Sequence, residues 1–415
     1  MDGSGAPARS NQTVVISGNR VVAAGPAGSV TVPHGAQPVD GTGKFLIPGL
    51  WDMHTHLTSL GPAALELCVA NGVTGVRDMG AARFATAKAW RDSIAAGLLL
   101  GPRMKISSPI VERPNWLAAV RKFYTEAGAS IEMIKERFGP TSPEETVRWV
   151  DSVKALGADH IKVRNWPDTE ISRALVARAR EAGLPVVAHP NQPFPFEGVA
   201  SYEHYIFPPL QLSAATLDSL FRQWGARGVA IVPTLVTWPG RLHPVDTLKA
   251  MIDPVRTPMY RYIPAAIRED WSKELDARKN ETPYDYRTLY DVSIRQLRAM
   301  KAAGMRVLAA TDGPSFPPVP GFSLHDELEQ LVALAGLTPM EALQAATLRP
   351  AQLLGMADSI GTIGPGMVAD LVLLDADPLA DIGNTRRIRA VVLNGRMLDR
   401  NALDQLLRSA EARAR

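Results

Sequence analysis

Through the middle of this chain, short apolar runs alternate with longer stretches in which apolar residues recur every three or four positions. That texture predicts parallel strands joined by helical crossovers. Eight runs read as strands: residues 50–56, 74–78, 103–107, 160–164, 185–189, 201–204, 229–234 and 307–312. Helical stretches between them include 62–70, 143–156, 169–182, 213–222 and 286–302. Gly157, Gly183 and Gly304 each close a helical run just before a strand, where a glycine cap is expected. Eight strand–helix units predict an α/β fold, a (β/α)8 TIM barrel.

The two ends of the chain have a different texture. Residues 14–17, 20–23 and 29–32 read as short strands separated by Gly18-Asn19, Gly25-Pro26 and Pro33-His34-Gly35. Turn-rich, strand-like segments return at 361–366, 369–374 and 388–393, the last ending at Asn394-Gly395. Pairing the ends predicts a small β-sandwich domain built from 1–47 and 361–415 beside a barrel spanning 48–360. Residues 322–335 and 338–349 read as helices, the second with Thr338 as N-cap and Pro339 at its first position. An amphipathic helix at 401–413 should cap the β domain. Two connections, 108–142 and 237–285, are far longer than usual. In a barrel they leave the strand ends where sites are built, which predicts lids or substrate-pocket walls.

Composition narrows the function. The chain has 415 residues, 46% apolar and 21% charged, with a formal net charge of +3 and no long block of either sign. Such a balance gives no nucleic-acid footprint and points to a small-molecule or dipeptide substrate. No stretch reaches the roughly 18 apolar residues of a membrane span. Cys68 is the single cysteine; it reads as a small apolar helix residue, and any metal must be held by nitrogen and oxygen.

The candidate chemistry sits at the strand ends. His54 and His56, two residues apart on an extended strand, project to one face and make half a metal site. Lys162 lies near the end of the fourth strand, His189 ends the fifth, His204 the sixth and Asp312 the eighth, so all six gather on one rim. An ammonium with a free pKa of about 10.4 would repel a cation. Carboxylated by carbon dioxide, Lys162 would instead offer two oxygens that bridge two ions, one held by His54, His56 and Asp312, the other by His189 and His204. Two ions roughly 3.5–4 Å apart generate a bridging hydroxide and polarise a carbonyl, and Asp312 can carry the proton to the leaving group. Nitrogen and carboxylate ligands suit Zn2+, with Mn2+ or Co2+ as substitutes.

These residues resemble the amidohydrolase superfamily of metal-dependent hydrolases. The resemblance rests on Pro48-Gly-Leu-Trp-Asp-Met-His-Thr-His56, Gly72-Val-Thr-Gly-Val-Arg-Asp78, Ile161-Lys-Val163, Val187-Ala-His189, Tyr202-Glu-His204, Thr311-Asp312, Leu337-Thr-Pro-Met-Glu-Ala-Leu343 and Gly364-Pro-Gly-Met-Val-Ala-Asp-Leu-Val-Leu373. They cover nearly the whole chain in the family's order and look closest to the branch of imidazolonepropionase-like proteins and Xaa-Pro or Xaa-Arg/Lys dipeptidases. Lys162 matches the carboxylated lysine of binuclear members, which imidazolonepropionases proper lack. The resemblance therefore implies a dipeptidase-like hydrolase of carbon–nitrogen bonds. Members normally begin with a strand ahead of a segment like Asp2-Gly-Ser-Gly-Ala-Pro7. Its absence implies a truncated copy, a β domain one strand short or a removed export signal; as written, the chain reads as soluble and cytoplasmic. Where dipeptidase-like members carry a glycine- and histidine-rich stretch after the third strand, this chain has Ser107-Ser-Pro-Ile-Val-Glu-Arg-Pro-Asn-Trp116.

The leading expectation is thus binuclear hydrolysis of an amide in a dipeptide or N-acyl amino acid. Against it stand a single-metal cyclic amidohydrolase or deaminase, and a barrel kept as a non-catalytic scaffold, for which no ligand has been lost. Substrate contacts are expected from Arg164 and Asn165 after the lysine, Asn191 and Gln192 after His189, Tyr205 after His204, Arg113 and Arg241 in the long connections, and His325 near a helix start. A homo-oligomer is compatible with all of these readings.

Overall fold

The computed structural model describes residues 1–80, 83–126, 131, 134–190, 198–204, 213–280 and 285–415. Each of the eight expected parallel strands forms: β4 (Leu50–Thr55), β5 (Val73–Asp78), β6 (Arg103–Ile106), β7 (Ile161–Val163), β8 (Val186–Ala188), β9 (Val199–Glu203), β10 (Ala230–Val232) and β11 (Arg306–Val307). They follow β1 (Gln12–Ser17), β2 (Arg20–Pro26) and β3 (Phe45–Pro48). Parallel pairing runs β4-β5-β6 in one sheet and β11-β10-β9-β8-β7 in another. A bridge from Ser107 to His160 joins β6 to β7, and one from Thr55 to Gly313 joins the first strand to the last. Beyond β11 the chain stays alongside β4: Met53 N–H donates to Ala309 O at 3.1 Å and Asp312 N–H to His54 O at 2.8 Å. This pairing brings the two ends of the parallel layer, far apart in sequence, to the same place.

Alternation explains which residues line the strands. Trp51, Met53, Ala230, Val232, Leu308 and Ala310 pack together, while Ile231, Val307 and Ala309 join the larger core shared with the helices. Gly75 belongs to the first packing: an added Cβ would lie 2.0 Å from the Trp51 ring. Helix starts follow the polar caps. Ser142, Asp168, Ser213 and Asp285 each accept the N–H three residues on, opening the helices Pro143–Ala155, Thr169–Glu181, Ala214–Ala226 and Tyr286–Ala302. Gly157, Gly183 and Gly304 close their helices at φ of +92°, +66° and +82°.

Two expected elements change. Residues 338–349 form two helices, Pro339–Ala345 and Leu348–Leu353, because the first gives its last carbonyls away. Ala345 O accepts from Ala309 N–H and Ala346 O from Trp51 N–H, so the helix end is spent on the strands. Residues 29–32 form no strand; β2 ends in a turn in which Ser29 N–H reaches Pro26 O, and Val32 stays exposed. A strand the pattern did not announce, β3, pairs with β12 (Leu371–Leu374), followed outward by β13 (Ile388–Leu393) and β14 (Arg396–Asp399). Both ends of the chain therefore share one antiparallel sheet. The last helix, Arg400–Ala414, does more than cover it: Ser409 and Arg413 both reach Glu66 on the helix Ala63–Ala70, each at 3.2 Å.

The described part of the long connection, residues 237–280, is a packed wall. Its helices Pro239–Leu242, Val245–Ile252 and Ala265–Ala277 bury Leu248, Ile252, Trp271 and Leu275. Tyr260 Oη donates to Pro317 O at 2.7 Å, and the Tyr260 and Trp271 rings lie against Phe316. Among the described residues no helix is long and apolar enough to cross a membrane.

His325 departs from its expected place by the substrate. It is buried in the helix Phe322–Ala333, with Nε2 3.1 Å from Asn71 O and Nδ1 2.9 Å from Thr385 Oγ1. Both ring nitrogens are committed to a joint between helices. Burial, assisted by the charge of Arg386, pushes its pKa down to about 3. A histidine kept neutral in the fold contributes stability above its unfolded pKa of about 6.5, lost as pH falls toward the folded value. His325→Gln, which has no proton to take up, is expected to show a shallower fall of melting temperature below about pH 6.5 than the parent, measured by thermal melts across a pH series.

Candidate metal centre

Strand ends supply the polar groups, and the backbone bends sharply to present them. His204, directly after β9, and Asp312, after β11, both adopt φ of +61°, and Thr234, after β10, adopts +47°. Left-handed backbone costs a non-glycine residue roughly 1–3 kcal/mol and persists where surrounding structure enforces it, characteristically at functional sites. Here the three turns crowd one end of the parallel layer.

Asp312 Oδ1 lies 3.3 Å from both His54 Nε2 and His56 Nε2. The donor atoms of these three residues all fall within 4.8 Å of one another, a grouping able to hold a metal ion. The His204 ring is 4.7 Å from His54 and 4.8 Å from His189, centroid to centroid, so all four imidazoles adjoin. Lys162 is 1% exposed, and its Nζ has no hydrogen-bond partner among the described residues. Burial lowers its pKa to about 8 against the pull of Glu203 and Asp312. Burial and then the Lys162 charge also drive His54 and His189 well down. For Asp312, burial is overcome by the His204, His56 and His54 rings, which hold it far below the usual carboxylate range.

The ring nitrogens facing away from the basin are tied. His54 Nδ1 is 2.8 Å from Glu203 Oε2, His56 Nδ1 2.9 Å from Gly80 O, and His204 Nδ1 2.7 Å from Thr234 Oγ1. A carbonyl and a carboxylate can only accept, so at least His54 and His56 carry a proton on Nδ1, which leaves Nε2 as the atom facing Asp312. Glu203 is fully buried and held in turn: Arg77 Nη2 donates to Oε1 at 2.7 Å and Ser201 Oγ at 2.5 Å. The guanidinium also reaches Ser201 Oγ and Met53 O.

A second cluster flanks the basin. Buried Glu112 receives Arg137 Nη1 at 2.8 Å, Arg164 Nε at 3.0 Å and Asn165 Nδ2 at 2.6 Å. The Arg164 guanidinium stacks 4.4 Å over Trp116, and its charge acts on both Lys162 and His189. The other expected substrate contacts fare differently. Arg113 donates from the surface to Trp166 O. Arg241 is exposed and stacks on Tyr286 at the start of the helix Tyr286–Ala302, a surface pairing that replaces the expected substrate clamp. Asn191, Gln192 and Tyr205 lie outside the described residues.

Residues 226–398 match the Amidohydrolase family. The imidazolonepropionase of Rubrobacter xylanophilus is 26% identical over 400 residues, covering 88% of this chain and 84% of that protein. A solved putative prolidase from Bifidobacterium longum is 27% identical, covers 96% of this chain and 93% of its own, and superposes with a TM-score of 0.67. Together these matches support the amidohydrolase superfamily, with imidazolonepropionases among the relatives and a putative prolidase among the solved neighbours. A bottromycin amidohydrolase structure, 24% identical over 97% of this chain and 86% of its own, shares the fold with a TM-score of 0.71.

Sequence reasoning on this chain passed over Glu203, Arg77, Thr234 and Asp52. Glu203 and Arg77 sat inside quoted motifs, yet nothing local marked them as partners across 126 residues. Asp52, two residues before His54, accepts from His54 N–H and from Thr311 N–H and Oγ–H, strapping β4 to the last strand. Burial pushes it up to about 7. A carboxyl whose folded pKa exceeds its unfolded value of about 3.9 contributes stability at acid pH that is lost as pH rises through the folded value. Asp52→Asn, which has no proton to release, should therefore gain melting temperature relative to the parent between about pH 4 and 7.

Proposed function

We propose that this amidohydrolase cleaves an amide bond in a dipeptide or N-acyl amino acid, using two metal ions bridged by a carboxylated Lys162. The reading takes the eight parallel strands as a closed (β/α)8 barrel over residues 48–360, with a composite β domain from 1–47 and 361–415. The cross-bridges at Ser107–His160 and Thr55–Gly313, and the shared sheet of β3 with β12 to β14, support that division.

The observation that carries the chemistry is Lys162. A fully buried amine without a hydrogen-bond partner among the described residues is costly as an ammonium beside four imidazoles. Its lowered pKa leaves a larger neutral fraction, the form that adds to carbon dioxide. As a carbamate it would become the anion that a nest of imidazole donors needs to hold cations. His54, His56 and Asp312 would hold one ion, His189 and His204 the other, with zinc the best match to nitrogen and carboxylate ligands. When bound, the metal ions supply an activated water and polarise the substrate carbonyl. Asp312, half-buried at the meeting point of His54 and His56, takes the proton from the attacking water and returns it to the leaving amine.

Arg164 supports a substrate bearing a carboxylate. Glu112 and the Trp116 ring fix the guanidinium beside the basin, where it can form charge-assisted hydrogen bonds to the anionic end of an amino acid. A single-metal reading, a cyclic amidohydrolase or deaminase, draws on the convergence of His54, His56 and Asp312 and on the imidazolonepropionase relatives.

Metal analysis with gentle intact-mass measurement separates the two. The binuclear reading expects about two zinc ions and one added carbon dioxide per chain; one ion with an unmodified lysine would support the single-metal enzyme. On a panel of dipeptides and N-acyl amino acids, Lys162→Ala and Asp312→Asn are each expected to reduce turnover to background. Substantial residual activity would overturn the assignment. Arg164→Met is expected to raise KM for the carboxylate-bearing substrate roughly 10- to 100-fold with a smaller change in kcat. The parent should show the same loss on the C-terminal amide of that substrate.

A further inference from the structure

The backing of the histidines differs from one to the next. Behind His54 stands a carboxylate, Glu203, itself 0% exposed and anchored by Arg77 and Ser201. Behind His56 is a neutral carbonyl, Gly80 O, and behind His204 a neutral hydroxyl, Thr234 Oγ1. A buried anion hydrogen-bonded to the far nitrogen of an imidazole pushes electron density toward the near one and fixes its direction. Neutral acceptors orient the ring with much less polarisation. Arg77 meets Glu203 at Oε1, leaving Oε2 as the oxygen that faces His54 Nδ1 at 2.8 Å. Between two buried groups in direct contact, that charge is weakly screened.

We propose that Glu203 is a positioning residue that makes the two metal positions unequal. The His54, His56 and Asp312 position fills first and more tightly, and the His189 and His204 position fills second. The proposal rests on the two-metal reading above. Two independent features of the fold agree with it. Asp312 adds a carboxylate to the first position only, and its three donor groups already converge among the described residues. The first position is also strapped from behind, since Asp52 accepts from the backbone N–H of His54 and from Thr311 beside Asp312. The second position depends on His204, whose support is a threonine on a left-handed turn. The inference gives the enzyme a resident ion and an exchangeable one.

The test is a zinc titration of the metal-free full chain against a chromophoric chelator, repeated with Co2+ and read by its visible absorption. The parent should take up metal in two resolved steps. Glu203→Gln, which keeps the shape and one acceptor oxygen but removes the charge, should weaken the first step by roughly 10- to 100-fold and change the cobalt spectrum of the first equivalent. Its second step should stay where it is. Thr234→Val should weaken the second step and spare the first. Because Glu203→Gln leaves Arg77 buried without its anion, the double variant Arg77→Met/Glu203→Gln is measured beside it. That variant removes both charges and should show the same weakened first step with a parental melting temperature. Two steps insensitive to Glu203→Gln, or uptake of two ions with equal affinity, would overturn the proposal while the two-metal reading stands. A single ion per chain, weakened by Glu203→Gln, would sink the two-metal reading and leave Glu203 as the positioning residue of His54.

Discussion

Four imidazoles and an amine packed this closely cannot all be cations. Coulomb repulsion between neighbours a few ångströms apart, only partly screened where burial limits solvent, opposes it. Most of the site follows from that constraint. Burial, together with the charge of Lys162, keeps His54 and His189 neutral, the form in which a ring nitrogen can donate a lone pair. Asp312 is held ionised by the His204, His56 and His54 rings beside it. The strain at His204, Thr234 and Asp312 belongs to the same balance: regular strand geometry would not aim their side chains into one small volume.

Much of this was readable from spacing. Strand–helix alternation gave all eight parallel strands, and the two-residue step from His54 to His56 put both imidazoles on one face, where each Nε2 lies 3.3 Å from Asp312 Oδ1. The glycine caps and the Thr338-Pro339 helix start were equally legible, because they depend on neighbours in the chain. Contacts that depend on pairing across the fold were not. β3 has only four residues and little alternation, and it is recognisable as a strand only once β12 lies beside it. The break at Ala346 needs the knowledge that Trp51 and Ala309 require acceptors there. Arg77 and Glu203 read as ordinary strand residues until the strands are assembled.

His325 and Arg241 illustrate the opposite error. Each sat in a segment expected near the site, and each was assigned by proximity in sequence. His325 instead satisfies Asn71 and Thr385 with its two nitrogens, and Arg241 stacks on an aromatic ring at the surface. Arg164 differs because its neighbour in sequence, Lys162, is also its neighbour in space. Strand alternation sends residues two apart to the same side, so a position two beyond a ligand carries more information than one in a distant insertion.

The hydrogen bond from Tyr260 to Pro317 ties the inserted wall to the turn that follows Asp312. Loops that shape a pocket are commonly treated as interchangeable parts on a fixed catalytic frame. In this protein the insertion is tied to the segment that carries Asp312. Exchanging the insertion for that of a relative would also disturb the placement of Asp312, so new specificity at this rim should arise more readily through the Glu112 and Trp116 side, which among the described residues meets the candidate site's backbone at β7.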